Sequence, residues 1–276
     1  MPELPEVETT RRGIKPLIMH ETITDVIIRC PKLRWPIPTD LKKNLQGHEI
    51  KALKRRGKYI LFEFTHGTLI LHLGMSGRLS ILTSPVAPQK HDHIDICFTH
   101  QKYLRLRDPR RFGAVLWTAG KSEQHPLLRH LGKEPLTPSC TANYLFERSR
   151  LRKMPIKAFI MDSRIIVGVG NIYATEALFN AHLHPLTPAG KITLSQFEKL
   201  MFEIKSVLKK AIKKGGTTLK DFAKPSGSQG YFQVELKVYG RSGKPCPTCR
   251  TLLKSARIGQ RNTVFCVTCQ PALNDH

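Results

Sequence analysis

The sequence predicts a multidomain α+β protein, and three observations carry that prediction. The first part of the chain is broken into many short stretches rich in Ile, Leu, Val, Phe and Thr. The middle has helical periodicity. The end is a small module holding four of the seven cysteines in two C-x2-C pairs. At 276 residues, 40% of them apolar, the chain is long enough for two domains or more. The expected boundaries are 1–118 for a β-rich domain, 119–234 for a helical domain and 235–276 for the cysteine module.

The elements follow in order. Pro5 near a helix start, Glu6 and Glu8 at its positive end and Arg11, Arg12 and Lys15 towards the other predict an N-terminal helix. Val7, Thr10, Ile14 and Leu17 would form its inner face. Short strands are expected over 22–29, 59–64, 68–73, 78–83, 94–99, 103–107 and 114–118, punctuated by Gly, Pro and Asn. So many short strands argue for a sandwich or a barrel. Residues 84–91, with two prolines, read as a loop, and 118–138 as a linker.

Helices are then expected over 141–151, 155–162 and 172–181, the last with Asn171 as N-cap. The strongest covers 195–214, with Ser195 and Glu198 as a capping box and Gly215-Gly216 as its stop. Residues 221–233 hold Pro225, Ser226, Gly227, Ser228 and Gly230 and read as a loop.

Lysine and arginine number 45 against 21 acids, a formal net charge of +24. Such a field attracts polyanions: DNA, RNA, sulfated sugars or an anionic membrane. No stretch has the length of a transmembrane span. Pro and Glu stand where a signal peptide needs a positive start and an apolar run, so a cytoplasmic location is expected. Cys30, Cys97 and Cys140 read as ordinary thiols.

The motif most specific by itself is Cys246-x2-Cys249-x16-Cys266-x2-Cys269. It has the four-cysteine zinc spacing. Four thiolates close a tetrahedral site and leave no position for water, so the zinc is structural. The segment between the pairs is expected as a β-hairpin that uses metal in place of a core. Arg241, Lys244, Arg250, Lys254, Arg257 and Arg261 make it basic, as phosphate contact requires.

Pro2 offers a second kind of chemistry. With Met1 removed, its nitrogen is a free secondary amine. An α-amine titrates near about 7.7–8.0, so a useful fraction is neutral and nucleophilic at pH 7. Attack on an aldehyde-level carbon gives an iminium, an electron sink, and Glu3 stands ready to exchange protons. The plainer reading of the same residues is a helix start, and the two are compatible. Other candidates are open on residues alone. Lys58 reads first as a surface charge, Met75 and Phe112 as core, and Gly168-Val169-Gly170-Asn171 as a tight turn or an anion-binding helix start. His91 and His93, alternating with Asp92 and Asp95, could suggest a metal, but no further ligand stands near them in sequence.

Pro2-Glu3-Leu4-Pro5-Glu6-Val7-Glu8-Thr9 resembles the N-terminus of the bacterial formamidopyrimidine-DNA glycosylases. The resemblance recurs at 72–77, 90–93, 108–113, 168–173, 215–219, 230–233, 238–241 and the final cysteines. It implies a two-layer β-sandwich with an N-terminal helix, a helix-two-turn-helix domain and a C-terminal zinc finger. It also implies a bifunctional glycosylase/AP lyase acting on oxidised purines in double-stranded DNA as a monomer with one structural zinc and no obligatory protein partner. In a bacterium it would be associated with the nucleoid.

By the same resemblance Pro2 is the Schiff-base nucleophile, Glu3 the proton donor, Lys58 serves the first elimination and Arg261 the second. Met75, Arg110 and Phe112 fill the gap left by an extruded nucleotide. His91, Arg152, Lys157 and Asn171 touch DNA backbone, and residues 217–231 close over the flipped base. The sister endonuclease VIII type, which removes oxidised pyrimidines, has Gly where Leu4 stands here. The alternative from another class is a non-catalytic zinc-finger DNA-binding protein, indifferent to Pro2 and Glu3.

Overall fold

A computed structural model describes residues 2–215 and 236–272. They divide into two compact units, one of residues up to His130 with Lys214 and Gly215, the other of Leu131–Lys213 with residues 236–272.

In the first unit, helix α1 spans Leu4–Ile18. Glu3 caps it. The Glu3 carboxylate accepts the Glu6 backbone N–H, and Glu6 Oε2 accepts the Glu3 N–H at 2.9 Å. This reciprocal pair satisfies two amides that the helix cannot pair itself. Val7, Thr10, Ile14 and Ile18 form the inner face. Leu17, expected there, is 40% exposed, because it falls at the edge of the stripe centred on Val7 and Ile14.

Two four-stranded antiparallel sheets follow, β1-β6-β7-β5 and β2-β3-β4-β8. The strands are β1 (Ile23–Ile28), β2 (Ala52–Arg56), β3 (Tyr59–Phe64), β4 (Gly67–His72), β5 (Arg78–Leu82), β6 (Asp92–Phe98), β7 (Tyr103–Arg107) and β8 (Ala114–Thr118). The expected alternative of sandwich or barrel thus resolves as two separate sheets. One core holds Val7 and Ile14 of α1 with Phe62, Leu69, Leu79, Ile94 and Leu104. Strand β2 and the short helix α2 (Leu41–Leu45) were not legible. In β2 the basic Lys54-Arg55-Arg56 masks the strand pattern. Its order comes from pairing with β3, from Ala52↔Glu63 to Arg56↔Tyr59.

The second unit contains helices α3 (Ala142–Ser149), α4 (Ile156–Met161), α5 (Asn171–Asn180) and α6 (Leu194–Lys213), then the hairpin β9 (Lys254–Ile258) and β10 (Arg261–Phe265). Two capping assignments shift. Gly170 is the N-cap of α5, so Asn171 is its first helical residue. The capping box of α6 is Thr193 with Gln196, not Ser195 with Glu198. The Thr193 N–H donates to Gln196 Oε1 at 2.9 Å and the Gln196 N–H to Thr193 Oγ1 at 3.2 Å. The start Thr-x-x-Gln satisfies the same rule two residues earlier.

Glu176 of α5 fastens the start of the cysteine module. Its buried carboxylate accepts the backbone N–H groups of Lys237, Val238 and Tyr239 at 2.8–2.9 Å. Val238 then packs with Phe179, Leu253 and Val264. Glu176→Ala leaves three backbone donors without this acceptor. The expected loss is about 2–4 kcal/mol, read as a lowered midpoint in denaturant titration, with cysteine-module signals moving first in hydrogen exchange.

Candidate active site and zinc centre

The helix tip holds the amine and the acid. Pro2 is buried and Glu3 is 1% exposed. Glu6 ties the tip down by accepting the Glu3 N–H. A buried carboxylate that already accepts one backbone amide is held in one orientation, as a proton-transfer group must be.

Lys58 stands immediately before β3. It lies with Gly57 in the two-residue turn between Arg56 and Tyr59. Gly57 has φ +56°, the left-handed conformation that a first-position glycine supplies in a tight hairpin.

His72 stands at the end of β4 opposite Tyr59. Its Nδ1 accepts the Gly74 N–H at 2.9 Å, so its proton sits on Nε2. Burial pushes its pKa down, and the charges of Lys58 and Arg34 push it further, to about 4. Near pH 7 it is a neutral donor beside Lys58.

Two loops are joined through Asp108, which is completely buried. Its Oδ1 accepts the Ser76 hydroxyl at 2.8 Å and its Oδ2 the Gly113 N–H at 2.8 Å. Ser76 Oγ in turn accepts the Arg110 N–H at 3.2 Å. The Met75 loop and the Arg110–Phe112 loop are therefore one assembly. Gly74 makes it possible: a Cβ there would stand 2.4 Å from the Phe112 backbone, and its φ is +64°.

Phe112 is 43% exposed and Arg110 lies 4.8 Å above its ring. Arg111 between them adopts φ +55°. That reversal brings Arg110 and Phe112 together and separates the two adjacent arginines, which sequence alone does not. Met75 is half-buried on the partner loop.

His91 has φ +77° and its carbonyl accepts the Asp108 N–H at 3.0 Å. A metal at this histidine pair finds no support. His93 Nε2 contacts the Asp108 carbonyl at 2.9 Å, and Asp95 is bonded by Arg29 and Arg105 at 2.6–2.8 Å.

In the second unit, Arg152 is exposed, as a phosphate contact requires, but Lys157 is fully buried. Expected as a surface contact, Lys157 instead donates to Asn171 Oδ1 and to Thr263 Oγ1, each at 2.6 Å. Its ammonium is an internal strut because the first turn of α4 packs against α5 and the hairpin. Asn171 also donates to the Asn262 carbonyl at 3.1 Å. The start of α5 and the hairpin are thus one construction. Arg261, exposed, follows the two-residue turn Gly259-Gln260, whose φ values are +53° and +61°.

The four cysteines meet. All four Sγ atoms lie within 4.8 Å of one another, with Cys246–Cys269 at 3.9 Å and Cys249–Cys266 at 3.4 Å. Tetrahedral zinc with Zn–S of about 2.3 Å needs sulfurs about 3.8 Å apart, so the donor set fits zinc.

Four cysteines whose donor atoms fit zinc, at the base of a β-hairpin, mark the chain as one of the zinc-finger class. Three family models fit in succession. They are the formamidopyrimidine-DNA glycosylase N-terminal domain over residues 1–115, its H2TH domain over 131–223 and the zinc finger found in FPG and IleRS over 243–272. The formamidopyrimidine-DNA glycosylase of Saccharophagus degradans is 54% identical over 270 residues, 98% of this chain and all of that one. That of Methylobacillus flagellatus is 52% identical, covering 98% and 96%. Among solved structures, MutM (Fpg) of Thermus thermophilus superposes with a TM-score of 0.86 at 37% identity, covering 98% of both chains. Lactococcus lactis Fpg with an abasic site containing DNA gives 0.88 at 33%, covering 98% and 100%. The chain belongs to the formamidopyrimidine-DNA glycosylase family. The loop expected to close over a flipped base, 217–231, lies outside the described residues, as does Met1.

His72 supplies a pH test. Its folded pKa, about 4, lies below the ordinary 6.5. Between those values the unfolded chain binds more protons, so stability is full above about pH 6.5 and is lost as pH falls towards 4. Between pH 7 and 4.5 the wild type should lose more melting temperature than His72→Gln. The zinc site is tested by metal analysis: one zinc per chain is expected, and Cys249→Ser should lower that content and unfold the hairpin first.

Proposed function

We propose that this chain is a base-excision repair enzyme, a DNA glycosylase with AP lyase activity that removes oxidised purines such as 8-oxoguanine and formamidopyrimidines from duplex DNA. Zinc is structural. The observation that carries the reading is Pro2 and Glu3, buried at the capped tip of α1, in a chain matching this family from end to end.

With Met1 removed, the Pro2 nitrogen attacks C1′ of the flipped nucleotide. The base leaves with its bonding electrons and the sugar opens to an iminium. Glu3 exchanges the protons that sugar and leaving base require. The iminium acidifies the neighbouring C–H, so the 3′ phosphate is eliminated and then the 5′ phosphate. Lys58 serves the first elimination and Arg261 the second. Met75, Arg110 and Phe112 fill the vacated stack, the cation over the ring supplying both a wedge and a donor for the orphaned base. His91, Arg152 and Asn171 hold phosphates, and Lys157 acts through Asn171. The protein works as a monomer in the cytoplasm, at the nucleoid, with a β-domain, a helical domain and a zinc module as its three parts.

Borohydride trapping tests this, run on an 8-oxoguanine:cytosine duplex beside a matched thymine-glycol duplex, with mass mapping of the linked peptide. A cross-link on Pro2, stronger with the purine lesion, is the expected result. A Pro2 cross-link favouring the pyrimidine moves the chain to the endonuclease VIII type. Tight binding with no cross-link to either, Met1 being absent, leaves a DNA-binding protein without lyase chemistry.

A further inference from the structure

Glu8 is a buried carboxylate that the reaction above does not use. It is 7% exposed and receives four guanidinium contacts. Arg11 donates Nε and Nη2 at 3.0 and 2.7 Å, Arg12 donates Nε at 2.7 Å and Arg55 donates Nε at 3.1 Å. Arg11 and Arg12 are on its own helix. Arg55 is on β2, and its Nη1 donates onward to the Gly57 carbonyl at 2.9 Å. That carbonyl belongs to the peptide bond joining Gly57 to Lys58. Arg11 adds a second tie from α1 to the same strand, donating Nη1 to the Leu53 carbonyl at 3.0 Å.

We propose that Glu8 is a positioning residue for the first elimination: through Arg55 it fixes the Gly57–Lys58 turn relative to the helix that carries Pro2 and Glu3. The proposal rests on the assignment of Pro2 and Lys58 made above. A peptide unit is planar. An arginine that holds the Gly57 oxygen therefore also sets the direction in which the chain enters Lys58. Gly57 is itself the freest residue of the turn, with φ +56°.

A buried ion cluster is a poor stability device, since apolar residues of the same volume commonly do as well. What it supplies is direction. The bidentate fork of Arg11 orients the carboxylate, and the carboxylate orients Arg55. Burial alone would raise the Glu8 pKa. The hydrogen bonds from Arg11 and Arg12 and the charges of Arg11 and Arg55 outweigh it and hold the group at about 2. The tether is therefore ionised throughout the pH range in which the Pro2 amine is nucleophilic.

The test separates the two chemical steps. Glu8→Gln keeps the shape and removes the charge. Base release from an 8-oxoguanine duplex is followed under single turnover, and strand cleavage is followed on a duplex with a preformed abasic site. A displaced group costs rate steeply, about 10²-fold for 1 Å. We expect cleavage to slow about tenfold or more while base release changes less than about threefold. Arg55→Met should give the same ratio, and the double variant should be no worse than either single one. Glu8→Asp, which keeps the charge, should recover part of the cleavage rate.

Base release and cleavage falling in parallel, with or without a lower melting temperature, would overturn the proposal and make Glu8 a stability residue only. If Glu8→Gln does not fold, Arg55→Met carries the same comparison. A wild type that forms no borohydride cross-link at Pro2 fails the lyase reading itself, a result distinguishable from an unchanged ratio.

Discussion

Buried carboxylates fasten the parts of this protein that carry its chemistry. The chain has only 21 acids against 45 lysines and arginines, so its surface field is strongly positive and self-repelling. Several of the scarce acids are spent inside. Glu6 locks the helix tip, Glu8 joins α1 to β2, Asp108 joins two loops and Glu176 gathers three amides at the start of the cysteine module. A buried carboxylate without partners is costly, and one with three or four donors is strongly directional. Each therefore adds a directional constraint to the segment it holds.

That constraint permits strain. His91, Arg111 and Gln260 all have positive φ without being glycine, and each lies at or beside a residue proposed to meet DNA. Such conformations persist where the surroundings force them. At His91 and Arg111 the force comes from Asp108, whose N–H donates to the His91 carbonyl and whose carbonyl accepts the Arg111 N–H at 3.0–3.1 Å. One buried residue thus sets the backbone of both loops.

The legible parts of the sequence were those whose signal is local. Alternating apolar runs gave the strands flanking the core, and C-x2-C spacing gave the zinc ligands, because a tetrahedral site constrains spacing directly. Strand β2 was hidden because its order comes from β3 and its exposed face is basic. Lys157 is one of several basic residues between Arg148 and Lys157 in the sequence. Nothing in its neighbours shows that Asn171 and Thr263, 14 and 106 residues away, converge on it. Asp108 carries no periodic signal in the sequence, although its two oxygens organise residues from 76 to 113. Long-range polar convergence has no period, so neither 3.6 nor 2.0 counting finds it.

The same convergence bears on the zinc. A four-thiolate site has no open position and takes no part in bond breaking. Yet the hairpin it folds carries Arg261, and two residues on stands Thr263, which accepts from Lys157, which in turn holds Asn171 at the start of α5. Asn171 reaches back to the Asn262 carbonyl. Hairpin and helix start form a closed loop of hydrogen bonds, with the metal at one end and the proposed phosphate contacts at the other. The metal is structural, and the hairpin it folds carries Asn262 and Thr263 onto the start of α5.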